Sequence, residues 1–230
     1  MLISYRQKFI YIKNKKVAGS SVESVFQRYC LPEDEENSYE NYGDEVPTKI
    51  SEAGVISGRL AGVMEGQVWT PHLSATEIKQ EVGNQIFDEY FKFSVIRNPF
   101  DKVVSSFWFY HMGSPWMHNG DSERADFQEI KSMFCSFVNT MEKESLDWRI
   151  HTIDGTPICD LYIRFEDLIA GVGEAFRELN VSLEPLLLPR FKSVDRKGYT
   201  DYRLYYDNNS LSIVENVYRR ELECFGYKFD

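Results

Sequence analysis

Residues 8–26 read KFIYIKNKKVAGSSVESVF, and the rest of the chain is best read outward from them. Lys8 to Ile12 is rich in β-formers, and a basic loop with one glycine and two serines follows. From Val22 the apolar residues Val22, Val25, Phe26 and Tyr29 recur at i, i+3, i+4 and i+7, one face of a helix. Strand, basic loop and helix in that order form the layout of a phosphate-binding turn. The first turn of a helix has amides without intrahelical acceptors and carries the positive end of the dipole. Ser20 and Glu23 have the S-x-x-E spacing of a capping box, which predicts the helix start. Gly19 allows close backbone approach to a ligand, Lys15 and Lys16 supply charge, and Ser20 and Ser21 supply hydroxyls. The GxxxxGK[ST] spacing that wraps a nucleoside triphosphate is missing. A capped helix beside solvated lysines satisfies the same pattern, so this turn alone leaves both readings open.

A second strand, YFKFSVI (Tyr90 to Ile96), runs into RNPFDKVVSSF. Asn98 suits an N-cap, Pro99 the first helical position and Asp101 the first turn. Arg97 therefore sits at a strand end, with the Ser105 hydroxyl two turns down the following helix. A guanidinium fork matches a phosphate, although an arginine paired to a carboxylate above a packed serine is the plainer alternative. Farther on, SATEIKQEVG (Ser74 to Gly83) reads as a short helix opened by Ser and Glu and closed by Gly. CDLYIRF (Cys159 to Phe165) reads as a third strand, followed by a helix carrying Leu168, Val172, Ala175, Phe176 and Leu179. A last helix, about 210–224, turns Val214, Val217, Tyr218 and Leu222 inward. Strands alternating with helices predict an α/β fold with a mainly parallel central sheet flanked by helices. Ligands of such sheets sit beyond the carboxyl ends of the strands, where both turns belong.

At 230 residues the chain fits a single domain, with ordinary hydrophobic content (43%) and charged content (27%). The net charge of −10 argues against nucleic acid and anionic membranes as partners, so an anion site must be a local cationic pocket. Much of the acidity lies in LPEDEENSYENYGDEV (Leu31 to Val46), which has no regular period. No apolar run reaches membrane-spanning length, and Met1 to Lys16 lacks the pattern of a signal peptide. Cys30, Cys135, Cys159 and Cys224 show no metal-ligand spacing, so no metal is expected, and their scatter suggests thiols in the cytoplasm.

Taken together, the two turns are more specific than either alone. FIYIKNKKVAGSS resembles the 5′-phosphosulfate motif of the PAPS-dependent sulfotransferase superfamily, and FKFSVIRNPFDKVVSSF resembles its 3′-phosphate motif. DLYIRFEDL (Asp160 to Leu168) and the segment from Tyr199 to Phe229 are similar to its carbohydrate-type, family 2-like branch. The resemblance implies a three-layer, P-loop-like fold and in-line sulfuryl transfer from PAPS (3′-phosphoadenosine-5′-phosphosulfate) to an acceptor hydroxyl, leaving adenosine 3′,5′-bisphosphate, with no metal required. It implies that Lys15, Lys16, Ala18, Gly19, Ser20 and Ser21 hold the 5′ end, with Lys16 stabilising charge on the leaving oxygen. Arg97 and Ser105 would hold the 3′-phosphate, joined by Arg196, Lys197 and Gly198, which resemble the family's RKG segment. Lys15 stands where the family usually has Pro, and Val17 where it usually has Thr, so one preset φ and one hydroxyl donor are missing.

His72, between the two turns, is the first candidate for the general base, because related carbohydrate enzymes carry a catalytic His in this interval. Glu77 is its rival, and a packing or capping His is the alternative. His111 lies on the apolar stripe of the helix bearing Ser105 and reads as structural. Acceptor-side loops are expected around 31–72 and 113–150, where Trp69, Tyr110 and Trp116 could stack on a sugar. An acidic chain suits a neutral carbohydrate or a small hydroxylated metabolite better than a polyanion. The competing classes are a non-catalytic nucleotide- or sugar-binding module and a kinase-like phosphotransferase. The second would need the Walker spacing and a carboxylate for Mg²⁺.

Overall fold

A computed structural model describes residues 1–35, 48–58, 68–112, 125–142, 146–181, 188–189, 196 and 198–230; Trp116, His118 and Lys197 fall outside these. In chain order the regular elements are β1 (Leu2–Ser4), β2 (Phe9–Ile12), α1 (Gly19–Phe26), β3 (Lys49–Ser51), β4 (Gly54–Ile56), α2 (Ala75–Glu89), β5 (Phe91–Ile96), α3 (Pro99–Phe107), α4 (Phe127–Asn139), α5 (Leu146–Ile150), β6 (Thr152–Ile153), β7 (Thr156–Pro157), β8 (Leu161–Arg164), α6 (Leu168–Glu178), α7 (Asn208–Val217) and α8 (Arg219–Phe225). They divide into two compact units. One comprises Met1–Ile96 and Asp147–Lys192, the other Arg97–Leu146 and Ser193–Asp230.

The first unit is built on a six-stranded sheet in the order β3-β4-β1-β2-β5-β8. β2, β5 and β8 are neighbours and parallel, while β1 pairs antiparallel with both β2 and β4, and β3 pairs antiparallel with β4. Four strands, β2, β4, β5 and β8, thus run one way, as a mainly parallel sheet requires. β1, β3 and β4 have three residues each, too few for an alternating pattern to show in the sequence. β2 is buried along its whole length, as a strand covered on both faces must be.

Successive side chains of β2 serve opposite faces. Phe9 and Tyr11 join Leu2, Ile56, Phe93, Val95 and Ile163, and against them pack Val22 and Phe26 of α1 and Val172, Ala175 and Phe176 of α6. Ile10 and Ile12 join Ile3 and Val55 beneath Ala75, Ile78 and Phe87 of α2. Helices therefore cover both faces, giving three layers. The ring of Phe93 is the hub of the first face, with centroids 5.7 Å from Phe9, 5.0 Å from Tyr11 and 4.8 Å from Phe26.

α2 starts as its sequence predicts, with Ser74 and Glu77 forming a reciprocal capping box. It does not stop at Gly83. That residue (φ 80°, ψ 162°) makes a kink, and the helix resumes to Glu89 because Phe87 still reaches the core. A Cβ at Gly83 would meet nothing within 4 Å, so its role is conformational.

The second unit is helical. Asn98 caps α3 by accepting from the Phe100 amide (3.0 Å), and Pro99 opens the helix. Phe100, Val103, Val104, Phe107 and Trp108 pack with Ile130, Phe134 and Val138 of α4, Val214 of α7, and Tyr205 and Tyr206. The expected single helix over 210–224 is two helices broken at Tyr218 (φ −103°, ψ 17°). Val214 and Tyr218 are nonetheless buried in the core and Val217 and Leu222 pack partly buried against it, so the periodicity survives the break. The stretches 31–72 and 113–150, expected as acceptor-side loops, contain β3, β4, α4 and α5 among the described residues. No helix among the described residues is long and apolar enough to cross a membrane.

Replacing Phe93 with Ala should empty the centre of the aromatic cluster. The expected loss is about 3–5 kcal/mol, seen as a lower urea midpoint at unchanged m-value.

Candidate functional site

The loop between β2 and α1 is shaped by a buried ion pair that the spacing did not reveal. Glu23, one turn into α1, is 1% exposed, and its carboxylate is bound by Lys13 Nζ and by the main-chain nitrogen of Met1. The capping box expected from Ser20 and Glu23 is therefore not formed. The helix begins at Gly19, and its N-cap is Ala18 in the left-handed region (φ 58°), with no side-chain cap. Lys16 is also left-handed (φ 57°). Left-handed residues within a loop turn consecutive amides towards a common concavity, the kind of backbone nest that holds anions. For residues with a Cβ this conformation is strained, so the surrounding packing must enforce it.

Gly19 has a reason the sequence reading did not supply. A Cβ there would lie 2.8 Å from Lys13 Cγ and 2.9 Å from Lys13 Cε, so the glycine makes room for the lysine that reaches Glu23. The Ala18 carbonyl accepts from the amides of Ser21 (2.9 Å) and Val22 (3.2 Å). The amides of Gly19 and Ser20 have no acceptor among the described residues, and neither does the Ser20 hydroxyl. Lys15 makes no hydrogen bond or ion pair among the described residues. Asn14, 2% exposed, ties the loop to β5 by donating to the Val95 carbonyl (3.1 Å). Val17, where a hydroxyl is expected by resemblance, is fully buried among the α1-side apolar residues.

His72 faces this loop. Its Nδ1 lies 2.9 Å from the Lys13 carbonyl oxygen, a partner that can only accept, so Nδ1 carries the hydrogen and Nε2 keeps the lone pair. Burial, reinforced by the charges of Lys13 and Lys15, lowers its pKa to about 4 against the pull of the hydrogen bond to Lys13. The ring is therefore a neutral acceptor throughout the neutral range. Glu77 is occupied differently: its Oε2 accepts from the Ser74 amide (2.8 Å) and hydroxyl (2.6 Å) as the helix cap.

In the second unit the residues of the RNPFD turn and the later basic segment meet on one carboxylate. Arg97 Nε donates to Asp101 Oδ2 at 2.7 Å, and Arg196 Nη1 approaches Asp101 Oδ1 at 2.9 Å. Arg196 also donates to the Thr200 carbonyl (3.2 Å), and the turn closes through Gly198 (φ 83°) and a Tyr199 amide bond to the Arg196 carbonyl (2.9 Å). Ser105, one helical turn beyond Asp101, is half-buried, and its hydroxyl makes no hydrogen bond among the described residues. By its place in the sequence Asp101 is a first-turn residue of α3. Its spacing of four from Arg97 was the available signal.

The remaining candidates are packed or peripheral. His111 stacks on Phe107 (6.0 Å) and meets the edge of Phe137 (4.8 Å), the structural role its apolar stripe predicted. Trp69 lies partly buried against the α2-side core, and Tyr110 is exposed. All four cysteines are free thiols.

A family model described as "Sulfotransferase family" matches residues 1–228. No curated protein matches the sequence.

Protonating His72 should work against folding. The ring takes a proton near its ordinary value of 6.5 when unfolded but only near 4 when folded, so the unfolded state binds the proton first and stability falls as pH drops from about 6.5 to about 4. Urea midpoints at pH 7 and pH 4.5 should therefore diverge more for the wild type than for His72→Gln.

Proposed function

The chain belongs to the sulfotransferase family, and from that premise we propose that it transfers the sulfuryl group of PAPS to a hydroxyl of a carbohydrate or a small hydroxylated metabolite. The observation that carries this reading is the donor set at the start of α1. Two amides and a hydroxyl lack acceptors among the described residues there, beside a lysine without an ion pair. Such a set fits a phosphosulfate end, because amides at a helix N-terminus that have no acceptor among the described residues suit an anion. PAPS supplies the activated sulfuryl group. Lys15, Lys16, Ala18, Gly19, Ser20 and Ser21 bind its 5′ end, and Lys16 counters charge growing on the bridging oxygen as the S–O bond opens. Arg97, Ser105, Arg196, Lys197 and Gly198 are assigned to the 3′-phosphate.

His72 is assigned as the base. Its Nε2 takes the acceptor's hydroxyl proton as that oxygen bonds to sulfur, and adenosine 3′,5′-bisphosphate departs with the bridging electron pair. A pKa near 4 makes the free ring a weak base, but Lys13 and Lys15 are among the reasons it is so low. An anion on the loop offsets those charges and raises the basicity of His72, so donor binding itself readies the base. The capping role of Glu77 favours His72 over it. The net charge of −10 supports a neutral acceptor over a polyanion, and the four free thiols support the cytoplasmic assignment.

Calorimetry should show adenosine 3′,5′-bisphosphate binding far more tightly than ATP; preference for ATP overturns the reading. Lys16→Ala and Arg97→Ala should each lower PAPS-dependent kcat/KM by the equivalent of about 1.5–3 kcal/mol, the loss of one charge-assisted contact. His72→Ala should cut kcat about 10²–10⁴-fold while leaving adenosine 3′,5′-bisphosphate affinity unchanged. Nucleotide binding with no turnover on any hydroxyl acceptor would point to the binding-module class instead.

A further inference from the structure

We infer that Asn14 is the positioning residue of the base: its side chain fixes the peptide whose carbonyl holds His72 in the tautomer that leaves Nε2 able to accept a proton. This deepens the proposed reaction and rests on the assignment of His72 as its base. The ring makes one hydrogen bond among the described residues, from Nδ1 to the Lys13 carbonyl oxygen at 2.9 Å. That carbonyl belongs to the peptide joining Lys13 to Asn14. Whatever orients this peptide therefore decides which nitrogen of His72 carries the hydrogen.

The peptide lies just past the sheet. The β2–β5 ladder ends at the pair Ile12 and Ser94, and side chains take over on both sides of the bond. Before it, Lys13 is anchored to the Glu23 carboxylate. After it, Asn14 Nδ2 donates to the Val95 carbonyl (3.1 Å) and more weakly to Ser94 Oγ (3.4 Å), and Ser94 Oγ in turn donates to the Ile12 carbonyl (2.8 Å). The Val95 carbonyl can only accept, so the Asn14 amide must present its nitrogen there. Its Oδ1 is left buried with no partner among the described residues. An acceptor in that position is unfavourable, so the polar contribution of this side chain is the Nδ2 tie alone. Asn14 and Ser94 are 2% and 0% exposed, and water does not compete for these bonds. With the residues on either side both tied, the rigid peptide plane between them has little freedom to turn its carbonyl away from His72.

Asn14→Ala removes the tie. The imidazole nitrogen NMR signals of the full chain at pH 7, where the ring is neutral, report the tautomer with neither nucleotide nor acceptor present. Wild-type His72, identified by the signals lost in His72→Gln, should carry its hydrogen on Nδ1. Asn14→Ala should shift the ratio of tautomers towards Nε2–H about fivefold, the worth of one neutral hydrogen bond. His151, whose Nδ1 lies 3.3 Å from the Tyr162 hydroxyl, is the internal reference and should keep its signals. Asn14→Ser, too short to reach the Val95 carbonyl, should give the same shift, and it takes the place of the alanine variant should that fail to fold. A loop that is merely loosened would lower the urea midpoint without moving the tautomer ratio. An unchanged ratio at His72, or an equal change at His151, overturns the inference and leaves the base assignment intact. A wild-type His72 with its hydrogen on Nε2 overturns the inference outright. PAPS-dependent turnover unaffected by His72→Ala overturns the base assignment and the inference with it.

Discussion

The buried pair of Lys13 and Glu23 is the constraint around which the first unit's loop is organised. A carboxylate placed one turn into a helix and 1% exposed must find a cation, because an unpaired charge at that depth costs several kcal/mol. Lys13 reaches it only by lying across the start of α1, which leaves space for nothing larger than glycine at position 19. The same residue's carbonyl accepts from His72 and so selects the imidazole tautomer. One ion pair thus links the helix start, the loop path and the candidate base. Such pairs are weak sources of net stability; here the pair lies across the start of α1, where the amides of Gly19 and Ser20 have no acceptor among the described residues.

What the sequence disclosed followed local rules with few competitors. The strand–loop–helix reading of 8–26, the cap of α2 by Ser74 and Glu77, and the Asn98-Pro99 opening of α3 depend on neighbours within four residues, and all three occur. The Ser20–Glu23 box obeys the same spacing rule, yet burial of Glu23 overrode it, and burial is a tertiary fact. Gly83 was read as a stop because nothing local shows that Phe87 still has a core to reach. β1, β3 and β4 were too short to carry a period, and the Tyr218 break leaves the inward positions unchanged. Lys15, Gly19, Ser20 and Arg97 stand in motifs and were named from them. Lys13 and Asp101 were not, since each acts by holding another residue and carries no motif of its own.

The chain manages its charge economically for an acidic protein. Among the described residues, cations at the two turns are partnered where their geometry must be held, as with Lys13, Arg97 and Arg196, and lack an ion pair at Lys15. The chain's overall net charge of −10 repels indiscriminate anions. Attraction of an anion to either turn then depends on local donor geometry more than on overall field.

The interleaving of the two units also bears on how the chain folds. β5 and β8 are adjacent strands, but residues 97–146 of the other unit lie between them in sequence, and that unit is itself completed by residues 193–230. Contacts of such long sequence separation must close large loops before they are rewarded, which slows assembly and makes it concerted. During synthesis Arg97 emerges well before Arg196, so α3 carries an unmatched guanidinium–carboxylate pair until the later segment arrives. Ribosome-bound intermediates should therefore have the helical unit incomplete, its aromatic core lacking Tyr205, Tyr206 and Val214, and exposed to chaperones for that interval.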